Sequence, residues 1–168
     1  MTRFSGPELL QKSHDFLKFD CGKESLNTFL VRHALANQAN GSARTFVGLS
    51  QNRVIGYYSL AVGSILYEEA PERLAKGLAK HPIPILLMAR FAVDKSFQGQ
   101  GVGKGLFKDG LRRCLNVSKE AGVRAFMVHA KDGEAKSLYT RFGMIECTTN
   151  PMHLYFLMKD LERFISVT

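Results

Sequence analysis

The stretch that most constrains this chain is a hydrophobic run, a glycine-rich turn and a helical pattern, each directly after the last. Pro84 to Asp94 is almost continuously apolar, as a central strand covered on both faces must be. Phe97-Gln98-Gly99-Gln100-Gly101-Val102-Gly103 follows, and then Val102, Leu106, Leu111, Cys114 and Leu115 recur at helical spacing. A strand, a glycine turn and a helix in that order make a cradle for phosphate. Backbone N–H groups and the positive end of the helix dipole converge where the turn ends, and a side chain there would block approach. Two familiar phosphate motifs fail on the letters. GxxxxGK followed by Ser or Thr fails twice, because Gln98 stands five positions before Gly103 and Gly105 follows Lys104. GxGxxG fails in both registers, ending on Lys104 when started at Gly99 and on Leu106 when started at Gly101.

Around this centre the hydrophobic periodicity predicts a mixed architecture. Leu26, Phe29, Leu30 and Ala34 predict a helix over Glu24 to Gln38. Arg44 to Leu49 and Val54 to Val62 are rich in β-branched and aromatic residues and flank the polar Gln51-Asn52-Arg53, which predicts an antiparallel hairpin running on towards Tyr67. Glu68 to Lys80, with Leu74 and Leu78 among charges, predicts a short amphipathic helix ended before Pro82. Gly122 suits the C-cap of the helix after the glycine turn. Val123 to His129 predicts a buried strand, Glu134 to Phe142 a helix with Leu138 and Phe142 inward, and Met152 to Met158 a last strand. Strands joined through helices imply parallel crossovers while the hairpin demands antiparallel pairs, so the expected fold class is α/β with a mixed sheet flanked by helices.

Length and charge narrow the classes further. The 168 residues suffice for one sizeable core and predict a single domain over residues 1–168. Lys and Arg number 23 against 15 Asp and Glu, a formal charge of +8 that favours phosphorylated or polyanionic partners. Cys21, Cys114 and Cys147 are odd in number, far apart and without any CxxC, so neither a disulfide framework nor a zinc site is expected and a reducing cytoplasm fits. The first twenty residues hold no continuous apolar stretch like a signal peptide, and Arg90 interrupts the most apolar region, so no membrane span is expected. The histidines are scattered and predict no metal site.

What does fit the glycine turn is Gln98-x-x-Gly101-x-Gly103, and here the chain resembles the GNAT N-acetyltransferase superfamily, whose Q/R-x-x-G-x-G/A turn holds the pyrophosphate of acetyl-CoA. Upstream the strand ends Phe91-Ala92-Val93-Asp94, and downstream Ala135-Lys136-Ser137-Leu138-Tyr139 precedes Gly143, as in the second half of a GNAT domain. The resemblance is closer to the GNAT toxins of bacterial toxin–antitoxin pairs. It rests on Gly41-Ser42-Ala43-Arg44-Thr45-Phe46-Val47, Gly56-Tyr57-Tyr58-Ser59-Leu60-Ala61, Pro82-Ile83-Pro84-Ile85, Ala89-Arg90-Phe91-Ala92-Val93-Asp94 and Val128-His129-Ala130. That resemblance implies a GNAT fold with a strongly twisted central sheet and transfer of acetyl from acetyl-CoA to the α-amine of aminoacyl-tRNA, which stops translation. It also implies a ribbon-helix-helix antitoxin as partner and a homodimer.

The same resemblance assigns roles. Tyr139 is the expected catalytic residue, a phenol that protonates the departing thiolate as general acid. Main-chain groups of Phe91, Ala92 and Val93 are expected to pair with the pantetheine arm and polarise the thioester carbonyl. Gln98, Gly99, Gln100, Gly101, Val102, Gly103 and Lys104 are expected to surround the pyrophosphate, Lys104 adding a point charge. Many relatives carry Asn seven residues before the tyrosine, where this chain has Asp132, which is therefore left out of the site. No acidic or histidine base stands out; an α-amine has a pKa near about 8 and less in an ester, so positioning carries much of the catalysis. For tRNA the candidates are Arg90 and the group Arg73, Lys76 and Lys80, because a tRNA needs phosphate contacts that place its acceptor end. Lys104, Lys108 and Arg112 form a further basic stripe, read as a solvated face. Two other readings stay open: acetylation of a small amine or a protein N-terminus, and a basic RNA-binding module that keeps the fold without catalysis.

Overall fold

The computed structural model describes residues 3–167. In chain order the elements are β1 (Ser5–Leu9), α1 (Glu24–Thr28), a π-helical turn (Phe29–His33), α2 (Ala34–Ala39), β2 (Arg44–Ser50), β3 (Arg53–Ile65) and α3 (Glu72–Ala75). Then come β4 (Ile83–Val93), α4 (Val102–Ser118), β5 (Ala125–His129), α5 (Gly133–Arg141), β6 (Ile145–Cys147), β7 (Asn150–Leu157) and α6 (Met158–Val167). Two compact units divide the chain, one of residues 1–61 with 89–110 and the other of residues 62–88 with 111–168, so that β3, β4 and α4 each contribute to both.

In the first unit the strand order is β1-β2-β3-β4. The expected hairpin forms: β2 and β3 pair antiparallel from Arg44 opposite Leu60 to Ser50 opposite Arg53. Its turn places Gln51 and Asn52 at φ of 50° and 71°, the left-handed geometry that matches the twist of a two-residue hairpin. The helix expected over Glu24 to Gln38 is present, but Phe29–His33 widens into a π turn. Leu26, Phe29, Leu30 and Ala34 are all buried and join Val47, Val54, Tyr57 and Ala92 in one core, so the apolar stripe keeps its contacts through the wider turn. Tyr57 is fully buried and its hydroxyl donates to the Leu26 carbonyl at 2.7 Å, which satisfies the one polar group of that ring.

In the second unit the order is β4-β5-β7-β6. β4 and β5 run parallel from Ile85 opposite Ala125 to Met88 opposite Val128, the crossover expected through α4, while β5 with β7 and β6 with β7 are antiparallel. Ile83, Ile85, Ala125, Met127, Tyr155 and Leu157 supply the core of this unit.

Three expectations need correction. The helix over Glu68 to Lys80 shrinks to a turn at Tyr67–Glu69 and the single helical turn of α3, because Pro71 sits between them in extended geometry and Gly77 turns the chain at φ 80°. Arg124 takes up the carbonyls that turn leaves, its Nε on Leu74 at 2.9 Å and its Nη2 on Lys76 at 3.1 Å. Gly122 is not a C-cap, since α4 ends at Ser118, whose hydroxyl donates to the Leu115 carbonyl. On α5 the buried residue is Tyr139, with Leu138 and Phe142 half-buried. Among the described residues no helix is long and apolar enough to cross a membrane.

Candidate active site

The glycine turn lies wholly in the first unit and is built by its own hydrogen bonds. β4 ends at Val93, and the Asp94 N–H donates to the Ile55 carbonyl of β3 at 2.8 Å, which fixes where the strand stops. The carboxylate of the buried Asp94 accepts from the Ser96 N–H at 2.9 Å and caps the tight turn Lys95–Phe97. The Gln98 side-chain amide donates to the Val93 carbonyl at 3.0 Å and that of Gln100 to the Ser96 carbonyl at 3.2 Å. Both glutamine side chains thus fold back onto the turn and help to hold its shape. Arg53 stacks over the Phe97 ring at 5.2 Å, and the Phe4 ring meets Phe97 edge-on at 6.0 Å, so the back of the turn is packed.

Gly99 and Gly101 sit at φ of 77° and 84°, where an L side chain is strained, and a Cβ at either would meet no described atom within 4 Å. The front of the turn is therefore open, and glycine is needed there for backbone conformation. Gly103 differs: a Cβ there would lie 3.5 Å from Val93 and 3.6 Å from the Phe91 ring. The first N–H groups of α4 lack partners within the helix and lie at the positive end of a 17-residue helix that starts directly after the turn. Lys104 is exposed on its first turn. A bare main-chain cradle with one cation fits a pyrophosphate.

Gly56, on β3, is the floor of this arrangement. A Cβ there would lie 2.7 Å from Leu106 of α4, 3.2 Å from the Ala92 carbonyl and 3.3 Å from Val102, so only glycine lets α4 lie this close over β3 and β4. Register pairing of β4 with β5 ends at Met88, while β4 runs on to Val93. The segment Phe91–Val93 thus extends past the last rung of that ladder.

Tyr139 lies in the second unit, on α5, and is 7% exposed. Burial pushes its phenol well above the usual tyrosine range, so it is neutral and carries its proton throughout the physiological range. α5 is capped by Asp132, whose carboxylate accepts from the Ala135 N–H at 2.8 Å. The Asp132 carboxylate therefore has a local structural task. Of the basic candidates, Arg90 is in the first unit, its guanidinium carbon 3.7 Å over the centre of the Phe29 ring, with Phe29 presented by the π turn. Arg73 is in the second unit and pairs with Asp160 at 2.7 Å, while Lys76 and Lys80 are exposed. The structure thus gathers Phe91 to Val93, Gln98 to Lys104 and Arg90 in one unit and holds Tyr139, Arg73, Lys76 and Lys80 in the other.

Sequence reasoning gave no role to Asp20 or Arg53, and it named Asp94 and Gly56 only as parts of the matching blocks. Asp94 carried a further readable signal, an Asp two residues before Ser96 at the end of an apolar run, which is a capping pattern. Among the described residues no group of three or more His, Cys, Asp or Glu is placed to hold a metal. All three thiols are free; burial raises each, Cys114 to about 12 and Cys147 to about 11.

The acetyltransferase (GNAT) domain family matches residues 17–153. A tRNA-acetylating toxin of Mycobacterium tuberculosis is 38% identical over 165 residues, 98% of this chain and 99% of its own length. Among solved structures, AtaT complexed with acetyl-methionyl-tRNAfMet superposes with a TM-score of 0.85 at 27% identity, over 97% of this chain and 98% of that one. A tyrosine-to-phenylalanine mutant of AtaT, bound to the C-terminus of the antitoxin AtaR and to acetyl-CoA, does so with a TM-score of 0.80 at 28% identity, over 95% and 96%.

Proposed function

The chain belongs to the GNAT acetyltransferase family, and from that premise we propose that it is a toxin that moves the acetyl group of acetyl-CoA onto the α-amine of aminoacyl-tRNA. The observation that carries this reading is the 38% identity to a tRNA-acetylating toxin over nearly the full length of both proteins. The open glycine turn before a 17-residue helix and the +8 charge support it, since one suits a pyrophosphate and the other a tRNA. A single acetyltransferase domain over residues 1–168 is part of the proposal, supported by the family match over 17–153.

Each residue then has a task. The N–H groups from Gly101 to Lys104 hold the pyrophosphate and Lys104 adds charge, while Gln98, Gly99 and Gln100 set the curvature that aims them. The main chain of Phe91–Val93, which runs on past the last β4–β5 rung, pairs with the pantetheine arm, and one of its N–H groups supports the thioester carbonyl as charge develops there. Tyr139 supplies the proton: the amine nitrogen forms the new C–N bond, the C–S bond breaks, the phenol protonates the departing thiolate, and the proton lost by the amine goes to solvent and returns to the phenol. A phenol kept neutral by burial is the protonation state this task requires. Arg90, Arg73, Lys76 and Lys80 are assigned to tRNA phosphates; Arg90 is pre-set by its seat on Phe29, whereas Arg73 must exchange its Asp160 partner. A ribbon-helix-helix antitoxin, a homodimer and a cytoplasmic location complete the proposal.

The test is transfer of radiolabelled acetyl from acetyl-CoA to a pool of charged tRNAs by wild type and Tyr139→Phe. Label in the wild type that falls at least tenfold in the variant, about 1.4 kcal/mol of barrier, supports substrate and acid together. No label on any charged tRNA refutes the toxin reading.

A further inference from the structure

The Asp94 carboxylate is the most heavily engaged buried charge around the glycine turn, and capping Lys95–Phe97 uses only one of its two oxygens. Its side chain is 3% exposed. One oxygen accepts from the Ser96 N–H at 2.9 Å; the other accepts from the Asp20 N–H at 3.1 Å and from the Arg53 guanidinium at 3.4 Å. Its own main chain is tied at both ends, the N–H to Ile55 at 2.8 Å and the carbonyl to the Phe97 N–H at 2.9 Å. Three separate stretches of sequence therefore meet on one residue: the segment before α1 at Asp20, the start of β3 at Arg53 and Ile55, and the turn itself at Ser96 and Phe97.

Asp20 reinforces the junction from the other side. Its carboxylate accepts from the Gly22 N–H at 2.9 Å and from the Asn27 amide at 3.0 Å, and pairs with the Lys95 ammonium at 3.0 Å, while its carbonyl accepts the Lys95 N–H at 2.9 Å. Lys95 and Ser96, the first residues after β4 and Asp94, are thus gripped through main chain and side chain before the chain reaches Gln98. A carboxylate near an anion site ordinarily opposes anion binding. Here its two oxygens are turned onto two N–H groups and a guanidinium, so the carboxylate serves as an anchor for the turn.

We propose that Asp94 is the positioning residue of the cofactor turn: by holding Ser96, Asp20 and Arg53 together it sets the direction in which the N–H groups at the head of α4 face, and so governs the affinity for the pyrophosphate half of acetyl-CoA. It touches neither the thioester nor the acceptor. The inference rests on the acetyl-CoA reading given above, and it separates two properties that a general stability role would move together, recognition of the nucleotide end and reaction at the acyl end.

The test uses Asp94→Asn, which keeps size and one acceptor oxygen but, whichever way the amide is turned, faces its NH2 group towards at least one N–H donor. Transfer is measured with acetyl-CoA and with acetylpantetheine, a donor that lacks the pyrophosphate. The expected result is a rise of at least tenfold in KM for acetyl-CoA, with kcat and the acetylpantetheine kcat/KM within about twofold of wild type, a change of about 1.4 kcal/mol confined to the nucleotide end. Equal losses on both donors, or none on either, overturn the proposal. Calorimetric binding of CoA alone needs no acceptor and keeps the two readings apart. A wild type that binds no CoA removes the acetyl-CoA reading and this inference with it, whereas variant and wild type binding CoA equally removes the inference alone. Should Asp94→Asn fail to fold, Arg53→Gln, at a half-exposed position, replaces it: about threefold weaker CoA binding with the acetylpantetheine rate unchanged supports the anchor, and unchanged CoA binding overturns it.

Discussion

Replacing Gly56 by alanine adds one methyl group at the point where β3, β4 and α4 come closest. The new Cβ would lie 2.7 Å from the Leu106 Cδ1, when apolar carbons rest at about 3.5–4.0 Å, so about 1 Å of displacement is required. Leu106 is 2% exposed, and the Ala92 carbonyl at 3.2 Å and Val102 at 3.3 Å close the other directions, so turning one side chain does not make the room. Overpacking of this kind costs about 1–3 kcal/mol, of which the lower backbone entropy of alanine returns about 0.5–1 kcal/mol. The net loss is about 0.5–2 kcal/mol, or about 1–8 °C in Tm for a chain of this length. Gly105→Ala is the matched control: that Cβ meets no described atom within 4 Å and lies within α4, so it should raise stability by about 0.5–1 kcal/mol. Calorimetric melting of the three proteins decides the matter. Gly56→Ala melting at or above the wild-type temperature would refute the close packing of α4 on β3.

Two further predictions follow the same geometry. Gly101→Ala forces an L residue to φ 84°, so it should lose about 1–2 kcal/mol of stability and, by covering the turn, bind CoA at least tenfold more weakly; calorimetric titration at wild-type affinity would contradict the cradle. His129 and His153 stack in register across β5 and β7 with centroids 3.7 Å apart, and burial lowers both below the ordinary 6.5, His153 lowering His129 further. As pH falls through 6.5 the unfolded chain takes up these protons first, so stability declines there and levels off once the folded pair is protonated too. Denaturant melts between about pH 7.5 and pH 5 should show that slope in the wild type and a shallower one in His153→Gln.

What was legible in the sequence was whatever periodicity alone decides. β4 is readable because it is apolar throughout, and the β2–β3 hairpin because two β-rich runs flank a polar pair. The glycine turn showed itself through residues whose φ no other side chain holds comfortably. β1 escaped because Gly6 and Pro7 sit inside its five residues and its ladder with β2 is interrupted between Ser5 and Glu8. β6 is three residues long, too short for a period. The π turn at Phe29–His33 preserves the spacing of the buried residues, so the pattern reads the same with or without it. α6 had a signal, Leu161, Phe164 and Ile165 at helical spacing, that followed too closely on the last strand to be separated from it. At the site, the glycines and Tyr139 stand on a local pattern, whereas Arg53 and Asp20 matter only because folding brings them to Asp94 from 41 and 74 positions away.

The central claim is that the acetyl acceptor is the free α-amine of an aminoacyl-tRNA. The most direct measurement offers the wild-type protein labelled acetyl-CoA with three forms of one tRNA: charged, deacylated, and charged with its α-amine already blocked. Label should appear on the charged form alone and be released with the amino acid on mild alkaline deacylation. Label on the deacylated or blocked forms, or label that stays with the tRNA after deacylation, would contradict the account.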